Sequence, residues 1–118
     1  MNEDLLIPDD VQRDERIRAL NDELRRERET SFGFSEMTTR VALLPDQTIK
    51  ELWNQVASFD KFYSGQDAYD LHEYGVIEHG GHKVSWEIGY YDNELNAVSG
   101  QPESATETIR VLTLDLVK

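Results

Sequence analysis

No cysteine occurs in the 118 residues, so disulfide scaffolds, thiol nucleophiles, iron–sulfur clusters and cysteine-ligated zinc are excluded. Positive charge is scarce. Twelve Lys and Arg stand against 24 Asp and Glu, a net charge of −12, so general electrostatic binding to a phosphate backbone is disfavoured. No apolar run approaches the roughly 20 residues needed to cross a bilayer. The opening residues Met1-Asn2-Glu3-Asp4-Leu5-Leu6-Ile7-Pro8 are acidic with a short apolar run, so no secretory signal is expected. Apolar residues still make up 38% of 13.7 kDa, enough for one compact core. The expectation is a cytoplasmic protein with a loose lead-in over residues 1–9 and a single α+β domain over 10–118.

Proline is rare, and Pro8, Pro45 and Pro102 each fall at a boundary. Asp9, with Gln12 three residues on, offers a helix start, and residues 11–29 read as a charged surface helix. Its apolar stripe is narrow (Ile17, Leu20, Leu24), and the acid-first pairs Asp14→Arg18 and Asp22→Arg26 suit a solvated face. Residues 31–35 read as a turn, and 37–44 as a strand ended by Pro45. A second helix over 46–58 places Ile49, Leu52, Trp53 and Val56 on one face and is the expected cover of the core.

Gly80-Gly81 divides two strand-like runs, 74–79 and 82–91, as a two-residue hairpin turn does. That loop length pairs Ile77 with Val84, Glu78 with Lys83 and Gly75 with Trp86. Ile77, Val84, Trp86, Ile88 and Tyr90 then share one face, while a slip of one residue would scatter them. Residues 92–104 read as a long flexible loop. A last strand over 106–117 is apolar on both faces near Ile109 to Leu112, as a central strand is. The expected fold class is α+β: a mainly antiparallel four-stranded sheet with two helices, in the order α-β-α-β-β-β.

Three chemistries compete. His72, His79 and His82 suggest a metal site, but His72 has the opposite strand parity to His79, and no recognised zinc spacing occurs. Exposed turn-flanking histidines are the simpler reading. His72 with Asp67, Asp70 and Glu73 suggests acid–base catalysis. However, carboxylates are common here, and no nucleophile elbow, phosphate loop or dinucleotide fingerprint accompanies them. No catalytic residue, metal or cofactor is therefore expected. The third is charge itself: residues 60–108 hold ten carboxylates against only Lys61 and Lys83. Such a surface steers basic partners, although net negative charge also simply confers solubility.

Several stretches carry a resemblance: Arg16-Ile17-Arg18-Ala19-Leu20, Phe59-Asp60-Lys61-Phe62, His72-Glu73-Tyr74-Gly75, Trp86-Glu87-Ile88-Gly89-Tyr90-Tyr91-Asp92 and Arg110-Val111-Leu112-Thr113-Leu114. In order, over roughly residues 16–116, they resemble a small bacterial family of uncharacterised proteins, a domain of unknown function often found on mobile elements. Residues 34–39 match poorly. The family usually has Asp-Phe where Glu73-Tyr74 stands and Lys where Glu87 stands. The resemblance implies a compact domain and no activity; its mobile-element setting favours an anti-defence inhibitor, by analogy alone.

The expected function is thus an acidic, non-enzymatic binding protein, an inhibitor of anti-CRISPR or antirestriction type. It would occlude a basic nucleic-acid-binding surface of its protein partner, touching neither nucleic acid nor membrane itself. The candidate partner-binding residues are Asp67, Asp70, Glu73, Glu78, Glu87, Asp92 and Glu94, with Tyr74 and Tyr91 as aromatic anchors. The alternative is a small metal-dependent or His/carboxylate hydrolase built on His72.

Overall fold

The computed structural model describes residues 9–62 and 71–117. Within them the chain forms α1 (Asp9–Glu27), β1 (Glu29–Thr30), β2 (Gly33–Met37), α2 (Thr39–Ala42), α3 (Asp46–Ser58), β3 (Tyr74–His79), β4 (His82–Tyr91) and β5 (Ile109–Leu116). The strands make one five-stranded sheet in the order β1-β2-β5-β4-β3. The β2–β5 pair is parallel and the other pairs are antiparallel. The α+β class holds. The four-stranded, mainly antiparallel layout with two helices is corrected to a mixed five-stranded sheet with three.

Two local misreadings explain the difference. Gly33-Phe34-Ser35 has turn composition, yet it begins β2, because pairing with β5 supplies partners that local propensity does not anticipate. Thr38, Thr39 and Val41 read as a continuing strand, yet Thr39–Ala42 is one helical turn. The chain must leave the sheet there to enter α3, and the turn inserts Val41, fully buried, into the core. The ladder ends where Thr38 N–H donates to Leu114 C=O at 3.0 Å.

The hairpin adopts the expected register, from His79↔His82 back to Gly75↔Trp86. Both turn glycines have positive φ, 60° and 83°, as a tight two-residue turn requires. Alternation then sends Ile77, Val84, Trp86, Ile88, Leu112 and Leu114 to one face, where Leu24 of α1 and Leu52, Trp53 and Val56 of α3 cover them. Each large apolar side chain buried here contributes about 1.5–3 kcal/mol. The helical layer thus has one side of the sheet to itself.

Phe59 and Trp86 meet edge to face, with centroids 5.5 Å apart, directly over Gly75. A Cβ at Gly75 would lie 2.8 Å from Trp86 Cε2 and 2.9 Å from Phe59 Cζ. Gly75→Ala is expected to cost about 1–3 kcal/mol through overpacking, read from the midpoint of urea denaturation.

Candidate functional site

The face of the sheet that none of the described helices covers follows from the same alternation. Register places Glu36, Thr113, Glu87 and Tyr74 in one row across β2, β5, β4 and β3. Glu36 and Glu87 are therefore about 10 Å apart, two strand spacings. Glu29 lies beside Phe34 on the same face, and Glu78 lies opposite Lys83. Glu29, Glu36, Glu78 and Glu87 are all exposed. Asp115 shares this face, but Arg40 Nη2 at 3.0 Å and the Thr38 hydroxyl at 2.8 Å engage it. The Thr38 hydrogen bond, helped by Arg40, holds the Asp115 carboxyl below the usual carboxylate range. Among the described residues, Glu36 and Glu87 have no cationic partner within salt-bridge distance.

Apolar surface adjoins these carboxylates. Phe34, Tyr91, Leu95 and Val111, with Glu36 and Thr113, line a shallow hollow of about 310 Å³. Leu95 and Val98 are exposed beside it at 48% and 78% and extend its apolar surface. Most of the chain's cations are elsewhere. Arg13, Arg16, Arg18, Arg25 and Arg26 belong to α1, which packs on the opposite side of the sheet, while Arg28 lies at the rim, lining a hollow with Glu29 and Glu36.

Of the candidate residues, Tyr74, Glu78, Glu87 and Tyr91 share the open face. Asp92 and Glu94 occupy the adjoining loop. There Asp92 Oδ1 accepts the N–H groups of Glu94 at 3.1 Å and Asn96 at 2.9 Å, and Glu94 accepts the Asn96 amide at 3.2 Å. The loop read as flexible is thus pinned, here and by Ser99 and Thr108, whose hydroxyls are 2.7 Å apart. Glu73 turns to the helical side, where its Oε2 accepts the Tyr90 hydroxyl at 2.6 Å. Asp67 and Asp70 lie outside the described residues. His79 and His82 flank the turn, and among the described residues no three His, Asp or Glu side chains are placed to hold a metal ion.

Beneath α1 lies a polar network that sequence reasoning missed. Arg110 is fully buried; its Nε donates to Asn21 Oδ1 at 2.8 Å, its Nη2 donates to Pro102 C=O, and its guanidinium lies over the Tyr90 ring. Asn21 Nδ2 donates to the Tyr90 oxygen at 2.8 Å and to Leu71 C=O at 2.9 Å. Arg25, also buried, donates to the carbonyls of Val56 and Phe59 and to Asp22 at 2.6 Å. His72 Nδ1 lies 3.0 Å from Asp22 Oδ1, with its ring stacked on Phe62 at 3.8 Å. The signal was available: Arg110 has the strand parity of Leu112 and Leu114, and Asn21 falls in helical phase between Ile17 and Leu24.

The network ties α1 to the sheet and to the chain entering β3. His72 sits at φ 59°, a left-handed conformation that a side chain tolerates when its contacts hold it there. Burial, reinforced by the Glu73 hydrogen bond, raises the Tyr90 phenol well above its ordinary value. The folded protein therefore keeps that proton more tightly than the unfolded chain. Its stabilising effect is complete below pH about 10 and is lost as pH rises beyond that point. In an alkaline absorbance titration one tyrosine is expected to ionise only as the protein unfolds, and Tyr90→Phe should remove that late component.

The sequence profile of a family described as "Protein of unknown function (DUF3768)" matches residues 37–118, which span α2, α3 and the β3-β4-β5 meander and thus most of the open face. No curated protein and no solved structure matches the chain. With well over half of its length matched, the chain belongs to the DUF3768 family.

Proposed function

We propose that this protein is a non-enzymatic binding module whose open sheet face engages a basic protein surface. The observation that carries this reading is the uneven placement of charge. Exposed Glu29, Glu36, Glu78 and Glu87 stand beside an apolar hollow on the face that no described helix covers, with Lys83 among them, whereas the arginines of α1 are largely balanced by that helix's own carboxylates. Carboxylates about 10 Å apart act together at low ionic strength, because the screening length at 0.1 M salt is also about 10 Å. The acidic row steers a cationic partner, and Phe34, Tyr91 and Leu95 supply the apolar contact that steering lacks.

Asp92 and Glu94 extend the negative rim, and Tyr74 supplies an aromatic flank. In its specific form, the partner is a nucleic-acid-binding complex of a bacterial defence system, and the carboxylates stand where its phosphates would lie. The protein then acts in the cytoplasm as an inhibitor by occupying that cleft.

The test is titration against polylysine, and against basic nucleic-acid-binding proteins, at low and high salt. Glu36→Lys with Glu87→Lys is expected to weaken binding about tenfold, since each pair lost is worth a few tenths to 1 kcal/mol and each reversal adds repulsion. Glu15→Lys with Glu23→Lys, on exposed positions of α1, should weaken it much less. Affinity that is indifferent to salt, or equal losses in both double variants, would overturn the reading. Among the described residues, the Asp22–His72 pair is the feature that favours a hydrolase instead; binding that survives His72→Ala separates that pair from partner recognition.

A further inference from the structure

Strand β3 ends the sheet, and its outer edge is unpaired among the described residues. Which of its backbone groups face outward follows from the ladder. Ile88 N–H donates to Glu73 C=O at 2.8 Å, and the turn closes between His79 and His82. In an antiparallel pair, bonded and non-bonded positions alternate. Glu73, Gly75, Ile77 and His79 therefore bond to β4. Tyr74, Val76 and Glu78 aim their N–H and C=O groups away from the sheet.

An unpaired edge is usually guarded by proline, an inward charge, a bulge or brevity. Here β3 runs for six residues in unbroken register, without proline or bulge. Beside it lies a groove of about 300 Å³ between the strand and the end of α3, lined by Gln55, Ser58, Phe59, Asp60, Lys61 and β3 itself. An edge strand with a groove against a helix is the geometry in which an extended peptide adds a strand.

We propose that β3 receives an extended segment of the basic partner as a sixth strand, bonded to Tyr74, Val76 and Glu78. This rests on the open face being the surface for a basic partner. Side chains of the added strand alternate. One set lies on the open face beside Glu78 and in reach of Glu87, which suits lysine or arginine. The other set faces the groove beside Ile77 and Phe59, which suits small apolar groups. A second copy of this chain is a poor occupant, because two molecules of net charge −12 repel.

The probe is a short peptide of alternating lysine and valine, with two controls: the same peptide carrying backbone N-methyl groups on its bonding edge, and a glutamate–valine version. Binding is read by fluorescence anisotropy and by exchange of the Tyr74, Val76 and Glu78 amides. The lysine peptide should bind and slow exchange at these three amides, whereas N-methylation should weaken it at least about tenfold. Val76→Pro should do the same, since it removes an outward donor and no bond to β4. If that variant fails to fold, the N-methylated peptide on the unaltered protein decides. Equal binding of methylated and unmodified peptides overturns the edge mode. If that equal binding is still lost with Glu36→Lys and Glu87→Lys, the open face stands without the edge. Failure of the lysine peptide to bind at all overturns both, as does equal binding of the glutamate peptide. A dimer that Val76→Pro abolishes would show that the edge serves self-association instead.

Discussion

The pairing of β3 with β4 across Gly80-Gly81 governs the placement of everything else, because the side-chain period of a strand is two. Once His79 closes against His82, Ile77, Val84, Trp86 and Ile88 must share a face. That face is too apolar to meet water, so α1 and α3 are drawn to it, and the other face is left to Glu78, Glu87, Tyr74 and Tyr91. Burial and recognition surface are two results of one register. Packing around Gly75 reinforces the choice: the Trp86 ring fills the space where a side chain would stand, so a shifted partner would meet it.

Elements whose formation depends on their own residues were legible. The amphipathic phase of Ile49, Leu52, Trp53 and Val56 marked α3, and Gly80-Gly81 with its flanking alternation marked the hairpin, down to the pairing of Glu78 with Lys83. Elements whose formation depends on distant residues were not. Strand β2 exists because β5, some 75 residues further on, offers it a ladder. Residues 33–35 therefore look like a turn, and the helical turn at Thr39–Ala42 was hidden behind β-branched composition.

The candidate surface was half legible for a similar reason. Strand parity put Glu78, Glu87 and Tyr91 outward, but Glu36 joined them only through the unforeseen β2–β5 pairing, and Glu29 through β1–β2. The engagement of Glu73 was hidden because the Tyr90 hydroxyl that donates to its carboxylate comes from another strand. The arginines divide in the same way. Arg13 reaches Glu103 at the surface at 3.2 Å, whereas Arg25 and Arg110 are buried among carbonyls, an aspartate and aromatic rings. Composition counts all of these as surface charge. Arg25 is matched by Asp22, but Arg110, bonded to neutral groups in the interior, leaves the exterior more negative than a tally of residues implies.

Strand β5 lies in the middle of the sheet although it comes last of the strands in the chain, bonded to β4 on one side and β2 on the other. During synthesis, the earlier strands emerge with no centre to gather around. The β3–β4 hairpin can close early, being local, but β1 and β2 stay unmoored until the final strand has cleared the ribosome. Assembly of the sheet is thus withheld until β5 has emerged. A chain cut short before Ile109 loses its keystone rather than an edge, and is left as a hairpin and loose helices for proteases to remove.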